Sequence, residues 1–147
     1  MKKFDSLFAT QRLRRQPRLM WIASMLAVAG ASLFYGDAVI GLAVSRLLFD
    51  RYPDEDEGFL TARRAALVNR DALAAMGLEL GLDRHLLLGR GETEAGGATR
   101  PSLLAASFEA LAGALSLSEG DERTEEVLGR LFATRLDALA EIDGPPK

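Results

Sequence analysis

The chain predicts an all-α domain, on three observations. Apolar residues recur at helical spacing in several separate segments. No run of alternating apolar and polar residues competes for a strand. Glycine, proline and small polar residues collect between the apolar segments, where turns belong. With 147 residues and 48% hydrophobic content, the chain suffices for a single domain with its own core.

Taken in order, Leu19 to Tyr35 is an uncharged, largely apolar run preceded by arginines. It reads either as a short membrane-anchoring segment with its basic flank inside, or as a buried helix. Residues Gly36 to Phe49 form a helix in which Val39, Leu42, Val44, Leu47 and Leu48 are apolar on most faces. Such a helix is buried nearly all round, in a core or a subunit interface. Arg51-Tyr52-Pro53 ends it, because proline disfavours helix at the preceding residue.

Thr61 to Leu80 is a second helical region with Ala66, Leu67, Leu73 and Met76 on its apolar positions. Thr61 is a plausible N-cap and Gly81 a plausible stop, with Gly77 an earlier breaking point. Gly89 to Arg100 is glycine-rich and polar, a loop. Pro101-Ser102 opens a helix to about Leu115, with Gly120 in the following turn. Thr124 to Ala140 is amphipathic through Val127, Leu128, Leu131, Phe132, Leu136 and Leu139, and Gly144-Pro145-Pro146 is a linker-like tail.

Charge and cysteine usage narrow the function classes. Without cysteine there is no disulfide and no thiolate metal site. The single histidine, His85, excludes any site needing several imidazoles and reads as a surface or loop residue. Net charge is -3, but Lys2, Lys3, Arg12, Arg14, Arg15 and Arg18 against Asp5 give the start 6 - 1 = +5, leaving -3 - 5 = -8 elsewhere. An acidic body argues against strong autonomous nucleic-acid binding by phosphate neutralisation. It fits a domain that gathers carboxylates around metal ions, or a solvated acidic surface.

Short motifs recur in a fixed order: Phe34-Tyr35-Gly36-Asp37-Ala38-Val39, Arg51-Tyr52-Pro53 with Asp56-Glu57-Gly58, Leu88-Gly89-Arg90-Gly91-Glu92, and Phe108-Glu109-Ala110. Together they resemble the endonuclease domain of ribonuclease III, whose signature runs Glu-Arg-Leu-Glu-Phe-Leu-Gly-Asp-Ala-Val. Phe34, Gly36, Asp37, Ala38 and Val39 match it. Gly30 and Leu33 stand where it has glutamates. Downstream, Arg64-Ala65-Ala66-Leu67-Val68-Asn69 and Ala95-Gly96-Gly97 are similar to family segments. Ser102 to Ala110 resembles the last catalytic helix, with Ala106 in place of an aspartate.

The resemblance covers roughly Phe34 to Phe132. It implies an N-terminal segment 1–33 that matches poorly and holds the apolar run, a ribonuclease III-like domain over 34–140, and a linker-like tail at 141–147. It also implies that the double-stranded-RNA-binding domain found after the linker in the family is missing. For function it implies a homodimer that hydrolyses double-stranded RNA, with Mg²⁺ (or Mn²⁺) held by four carboxylates per site. Asp37 and Glu109 match two of the metal-binding, catalytic positions, whereas Leu33 and Ala106 cannot bind a cation. Glu57 and Glu92 lie in neighbouring motifs as possible supporting acids. Phe34 matches the aromatic that inserts into the partner subunit, its alternative being ordinary core packing.

The chemistry suits these residue types. Carboxylates offer the hard oxygen ligands Mg²⁺ prefers, and positions 106 and 109, three apart on a helix, share a face. Outside the resemblance, Asp37 is a helix N-terminal acid favoured by the dipole, and Glu109 a surface helix residue. The leading expectation is a cytoplasmic ribonuclease III-family domain acting on double-stranded RNA, its cleavage impaired by the lost ligands. An active endonuclease, a non-catalytic RNA-binding or ribosome-associated protein, a membrane-anchored protein through Leu19 to Tyr35, and a truncated or partly mistranslated family member are the competing readings.

Overall fold

The computed structural model describes residues 31–94 and 96–143. Most of Leu19 to Tyr35, read from sequence as either a membrane anchor or a buried helix, lies outside them. The described residues are all-α, in six α-helices and two 3-10 turns. In order these are α1 (Ala31–Arg51), α2 (Glu57–Val68), α3 (Arg70–Glu79), a 3-10 turn (Leu82–Arg84), α4 (Arg90–Glu94), a second 3-10 turn (Gly97–Thr99), α5 (Pro101–Glu119) and α6 (Asp121–Asp143).

Local chemistry sets most of the boundaries. After α1 stops at Arg51, the Asp56 carboxylate accepts the Phe59 backbone N–H at 2.8 Å and starts α2. Thr61 is therefore an interior residue of α2, not its cap. The expected single helix to Leu80 is two helices, because Asn69 is extended (ψ 162°) between them. Its side chain serves both ends. The amide nitrogen donates to the Ala66 carbonyl, and the amide oxygen accepts from the Ala72 N–H, each at 2.9 Å. Gly81 follows α3 in the left-handed region (φ 73°), as expected of a stop. Gly77 breaks nothing; it is buried within α3.

Gly89 to Arg100, expected to be a loop, contains the single-turn α4 and a 3-10 turn. Pro101 opens α5 at its first turn, where the missing N–H is no loss, and α5 runs on to Glu119 before Gly120 (φ 84°) turns the chain. Thr124, 1% exposed, gives its hydroxyl to the Gly120 carbonyl at 2.8 Å.

Helix α5 is the centre of the molecule, packed by α1, α3 and α6. Leu104, Ala105, Phe108, Ala110, Ala112, Ala114 and Leu115 are all buried along it. Against it lie Ile40, Ala43, Val44 and Leu48 of α1, Leu73 and Met76 of α3, and Leu128, Phe132 and Leu136 of α6. Phe108 and Phe132 meet edge-to-face with centroids 6.1 Å apart. By length and composition α5 passes as a membrane span, but more than half of it is buried inside the fold, as in a core helix.

Two close crossings fix how α5 sits. A methyl group at Gly36 of α1 would lie 2.6 Å from the Glu109 carbonyl carbon and nearer still to its oxygen. One at Gly77 of α3 would lie 2.9 Å from the Leu104 carbonyl oxygen. Both glycines bring a whole helix backbone against α5 where any side chain would hold it off.

In the single chain one side of α1 is open, so the expected burial on nearly every side is not met within its own core. Phe34 is 82% exposed, Phe49 67% and Leu42 51%. Spaced by eight and seven residues, the three fall on one side of the helix. The α1–α2 connection is closed by Tyr52 and Phe59, whose rings meet edge-to-face at 5.6 Å with the Arg63 guanidinium over both. Exposed ion pairs tie the periphery: Arg46 to Glu125, Arg51 to Asp137 and Arg135 to Glu79. Each contributes at most about 1 kcal/mol.

Candidate metal centre

Asp37 sits in α1 directly after Gly36, and Glu109 in α5 is the residue whose carbonyl Gly36 touches. The two acids are 72 positions apart in sequence, yet the glycine crossing makes them neighbours. The chain around Glu109 is buried on both sides, by Phe108 and Ala110, while Glu109 itself is half-buried and Asp37 exposed. The pair thus occupies the rim of the core, at the edge of the α1–α5 contact.

Electrostatics report the same proximity. The Glu109 carboxyl is held above the ordinary glutamate range, first because burial takes it partly out of water and second because the Asp37 charge is close. Two acids forced together in this way favour an ion that neutralises both. Mg²⁺ usually takes only one or two protein carboxylates, completing its shell with water and substrate phosphate. The donor set of Asp37 and Glu109 therefore fits a divalent cation with few protein ligands.

Among the described residues the pair gains no third acid, and no group of three or more His, Cys, Asp or Glu could hold a metal ion. Ala106, one turn before Glu109 on α5, is half-buried and brings a methyl group to the face where the family signature has an aspartate. Glu57 begins α2 and is exposed, without forming such a group with Asp37 and Glu109. The Glu92 side chain and that of Leu33 lie outside the described residues. His85 is exposed at the end of the first 3-10 turn.

One polar constellation escaped the sequence reading. The Tyr35 hydroxyl lies 2.9 Å from Ser116 Oγ, and Ser116 Oγ donates to Asp121 Oδ1 at 2.6 Å. Only the identity of Tyr35, beside Gly36 and Asp37, placed any of these residues near the motif. Nothing in residue spacing links positions 35, 116 and 121.

The raised Glu109 carboxyl has a consequence for stability. A carboxyl that holds its proton more tightly in the folded than in the unfolded chain costs stability above its ordinary value, 4.5 for glutamate, and the cost is fully developed once the pH exceeds the raised folded value. Below the ordinary value both states are protonated and the cost is absent. Glu109→Gln should therefore raise the unfolding free energy measured with urea at about pH 7 in the presence of a chelator, by no more than the ~1 kcal/mol typical of a partly exposed charge. The gain should shrink to nothing at about pH 3. Equal unfolding free energies for the two proteins at both pH values would show that Glu109 carries no such cost.

Comparisons with known proteins bear on the family and the fold. The model of the Ribonuclease III domain family matches residues 33–120. Ribonuclease 3 of Mycobacterium tuberculosis (strain H37Rv) is 49% identical over 108 residues, covering 71% of this chain and 45% of that protein. Ribonuclease 3 of Alcanivorax borkumensis is 45% identical over 107 residues, covering 73% of this chain and 47% of the other. The chain thus spans less than half the length of these curated relatives. The crystal structure of the nuclease domain of Ribonuclease III from Campylobacter jejuni superposes with a TM-score of 0.74 at 29% identity, covering 92% of this chain and 97% of that one. A second structure of that nuclease domain, with structural flexibility in a region involved in dimer formation, gives a TM-score of 0.68 at 36% identity over 71% of this chain and 73% of the other.

Proposed function

Because the chain belongs to the ribonuclease III domain family, we propose that it acts on double-stranded RNA in RNA processing, as a cytoplasmic homodimer whose phosphodiester cleavage is impaired. The observation that carries this reading is the Asp37–Glu109 pair at the α1–α5 crossing, with Ala106 on the face where a further carboxylate would complete the donor set. In this reading Asp37 and Glu109 would hold Mg²⁺ or Mn²⁺, which takes few protein carboxylates and leaves room for a phosphate oxygen. The cation, when bound, activates water and stabilises charge on the leaving oxygen. Asp37 and Glu109 orient it, and Glu109, partly withdrawn from water, does so in surroundings that strengthen the attraction. With two carboxylates fewer than the family's set, affinity for the cation falls and the cleavage rate with it.

The exposed side of α1 supports the dimer. Phe34, Leu42 and Phe49 present large apolar surface to solvent in the single chain, and burying it against a second copy would remove that surface from water. In this reading Phe34 inserts into the partner subunit.

The test is incubation of the purified protein with long double-stranded RNA and Mg²⁺ or Mn²⁺, beside Asp37→Ala and Glu109→Ala. The expected outcome is retarded RNA in a mobility-shift assay with slow cleavage that both substitutions abolish. Rapid cleavage, lost in both variants, would mean that the reduced ligand set works and that impairment is wrong. Binding without any cleavage would instead favour a non-catalytic RNA-binding role.

A further inference from the structure

Resting on the metal-site reading above, we infer that Tyr35 is a positioning residue, whose hydroxyl chain through Ser116 to Asp121 sets the angle of α1 on α5 and so the placement of Asp37 beside Glu109. Ser116 has a single hydroxyl proton, which goes to the Asp121 carboxylate. Its oxygen is then free only to accept, so Tyr35 is the donor, and the order is Tyr35 O–H to Ser116 O–H to Asp121 carboxylate. Bonds aligned in this way polarise one another, and the one that ends on a carboxylate is charge-assisted. Asp121 is itself favoured where it stands, in the first turn of α6. The chain therefore joins three helices, α1, α5 and α6, through one buried serine that is 5% exposed.

Its position relative to the glycine crossing gives it leverage. On α1 the two anchor points are consecutive: Tyr35 reaches Ser116, and Gly36 touches Glu109. On α5 they are seven residues apart, about 10.5 Å along the axis. Gly36 fixes the closeness of the two helices at one point, and the apolar packing of Ile40, Ala43, Val44 and Leu48 that follows it is non-directional. The second anchor, two turns away on α5, adds a directional constraint to that packing. Asp37, next along α1, inherits its direction from both. A leucine at position 35, as in the family signature, has no hydroxyl with which to make this bond, so the device is written in this chain's own residues.

The experiment compares the wild-type chain with Tyr35→Phe, which keeps the ring and removes the hydroxyl, and with Ser116→Ala, which fits the space already occupied. Arg51→Ala, which removes an exposed α1–α6 ion pair, is the control. Residual dipolar couplings of α1 amides relative to α5 report the crossing without any metal, and Mn²⁺ titration reports the acid pair. The expected result is a common reorientation of α1 in Tyr35→Phe and Ser116→Ala, absent from the control, with Mn²⁺ affinity about tenfold weaker in both, in the range of lost supporting hydrogen bonds around metal ligands. Unchanged couplings in both variants would overturn the inference whatever the Mn²⁺ data show. Altered couplings with unaltered Mn²⁺ affinity would overturn the link to the acid pair. If the wild-type protein binds no Mn²⁺ while the couplings still change, the metal-site reading fails and the role of Tyr35 in setting the crossing stands.

Discussion

Ala106→Asp is expected to tighten Mn²⁺ binding and raise cleavage of double-stranded RNA by at least about a hundredfold. The estimate rests on the several kcal/mol that a well-held cation contributes to transition-state charge stabilisation, at 1.36 kcal/mol per tenfold in rate. Position 106 lies about one helical turn before Glu109 and shares its face, so a carboxylate there would stand beside Glu109 on α5. The half-buried setting of Ala106 leaves the new group partly in contact with water. Without metal, the third charge should lower stability, because Glu109 already bears the repulsion of Asp37. Added Mn²⁺ should reverse that loss by binding the folded state alone. Paired measurements decide it: thermal unfolding with and without Mn²⁺, and cleavage rates under single-turnover conditions. A variant that folds, binds Mn²⁺ no better than wild type and cleaves no faster would show that Ala106 is not what limits the site.

Gly36→Ala should be among the most damaging single substitutions in the described residues. The added methyl would fall 2.6 Å from the Glu109 carbonyl carbon, and a backbone carbonyl in the middle of a core helix cannot step aside as a side-chain tip can. Helices α1 and α5 must separate, at a cost of about 3 kcal/mol or more, which corresponds to a fall in Tm on the order of 10 °C for a domain of this size. Separation also moves Asp37 from Glu109, so Mn²⁺ affinity should fall together with stability. Gly41→Ala in the same helix is the internal control. Nothing lies within 4 Å of its added methyl, so removing a helical glycine should stabilise by about 0.5–1 kcal/mol. Opposite signs at two glycines five residues apart would separate close approach from helix propensity. A mild loss at Gly36 would mean that the crossing is looser than the structure shows.

Helix existence was legible in the sequence because it depends on local apolar spacing, which α1, α5 and α6 display plainly. Boundaries were less so where a single side chain decides them. Asn69 splits the expected Thr61–Leu80 helix by capping in both directions, and one asparagine within an apolar-periodic stretch gives little warning of that. The turn of helix at Arg90–Glu94 was hidden by the glycines around it. Neither periodicity nor composition could bring Asp37 to Glu109; their pairing was anticipated only through the family motifs that each belongs to. The Tyr35–Ser116–Asp121 chain lay beyond both routes. Its members sit in three helices, and each is unremarkable on its own.

Gly36 and Gly77 let two backbones rest against the central helix, so how near Asp37 and Glu109 come is limited by atoms that every residue possesses. No cation is required to draw these helices together, and neither Asp37 nor Glu109 is required to keep them there. Scaffold and chemistry are consequently separable characters. A lineage that exchanges carboxylates for leucine or alanine loses ligands while the frame that once presented them persists. The same independence makes the domain a receptive host for re-engineering, since new donors can be introduced at its rim without renegotiating how the helices meet.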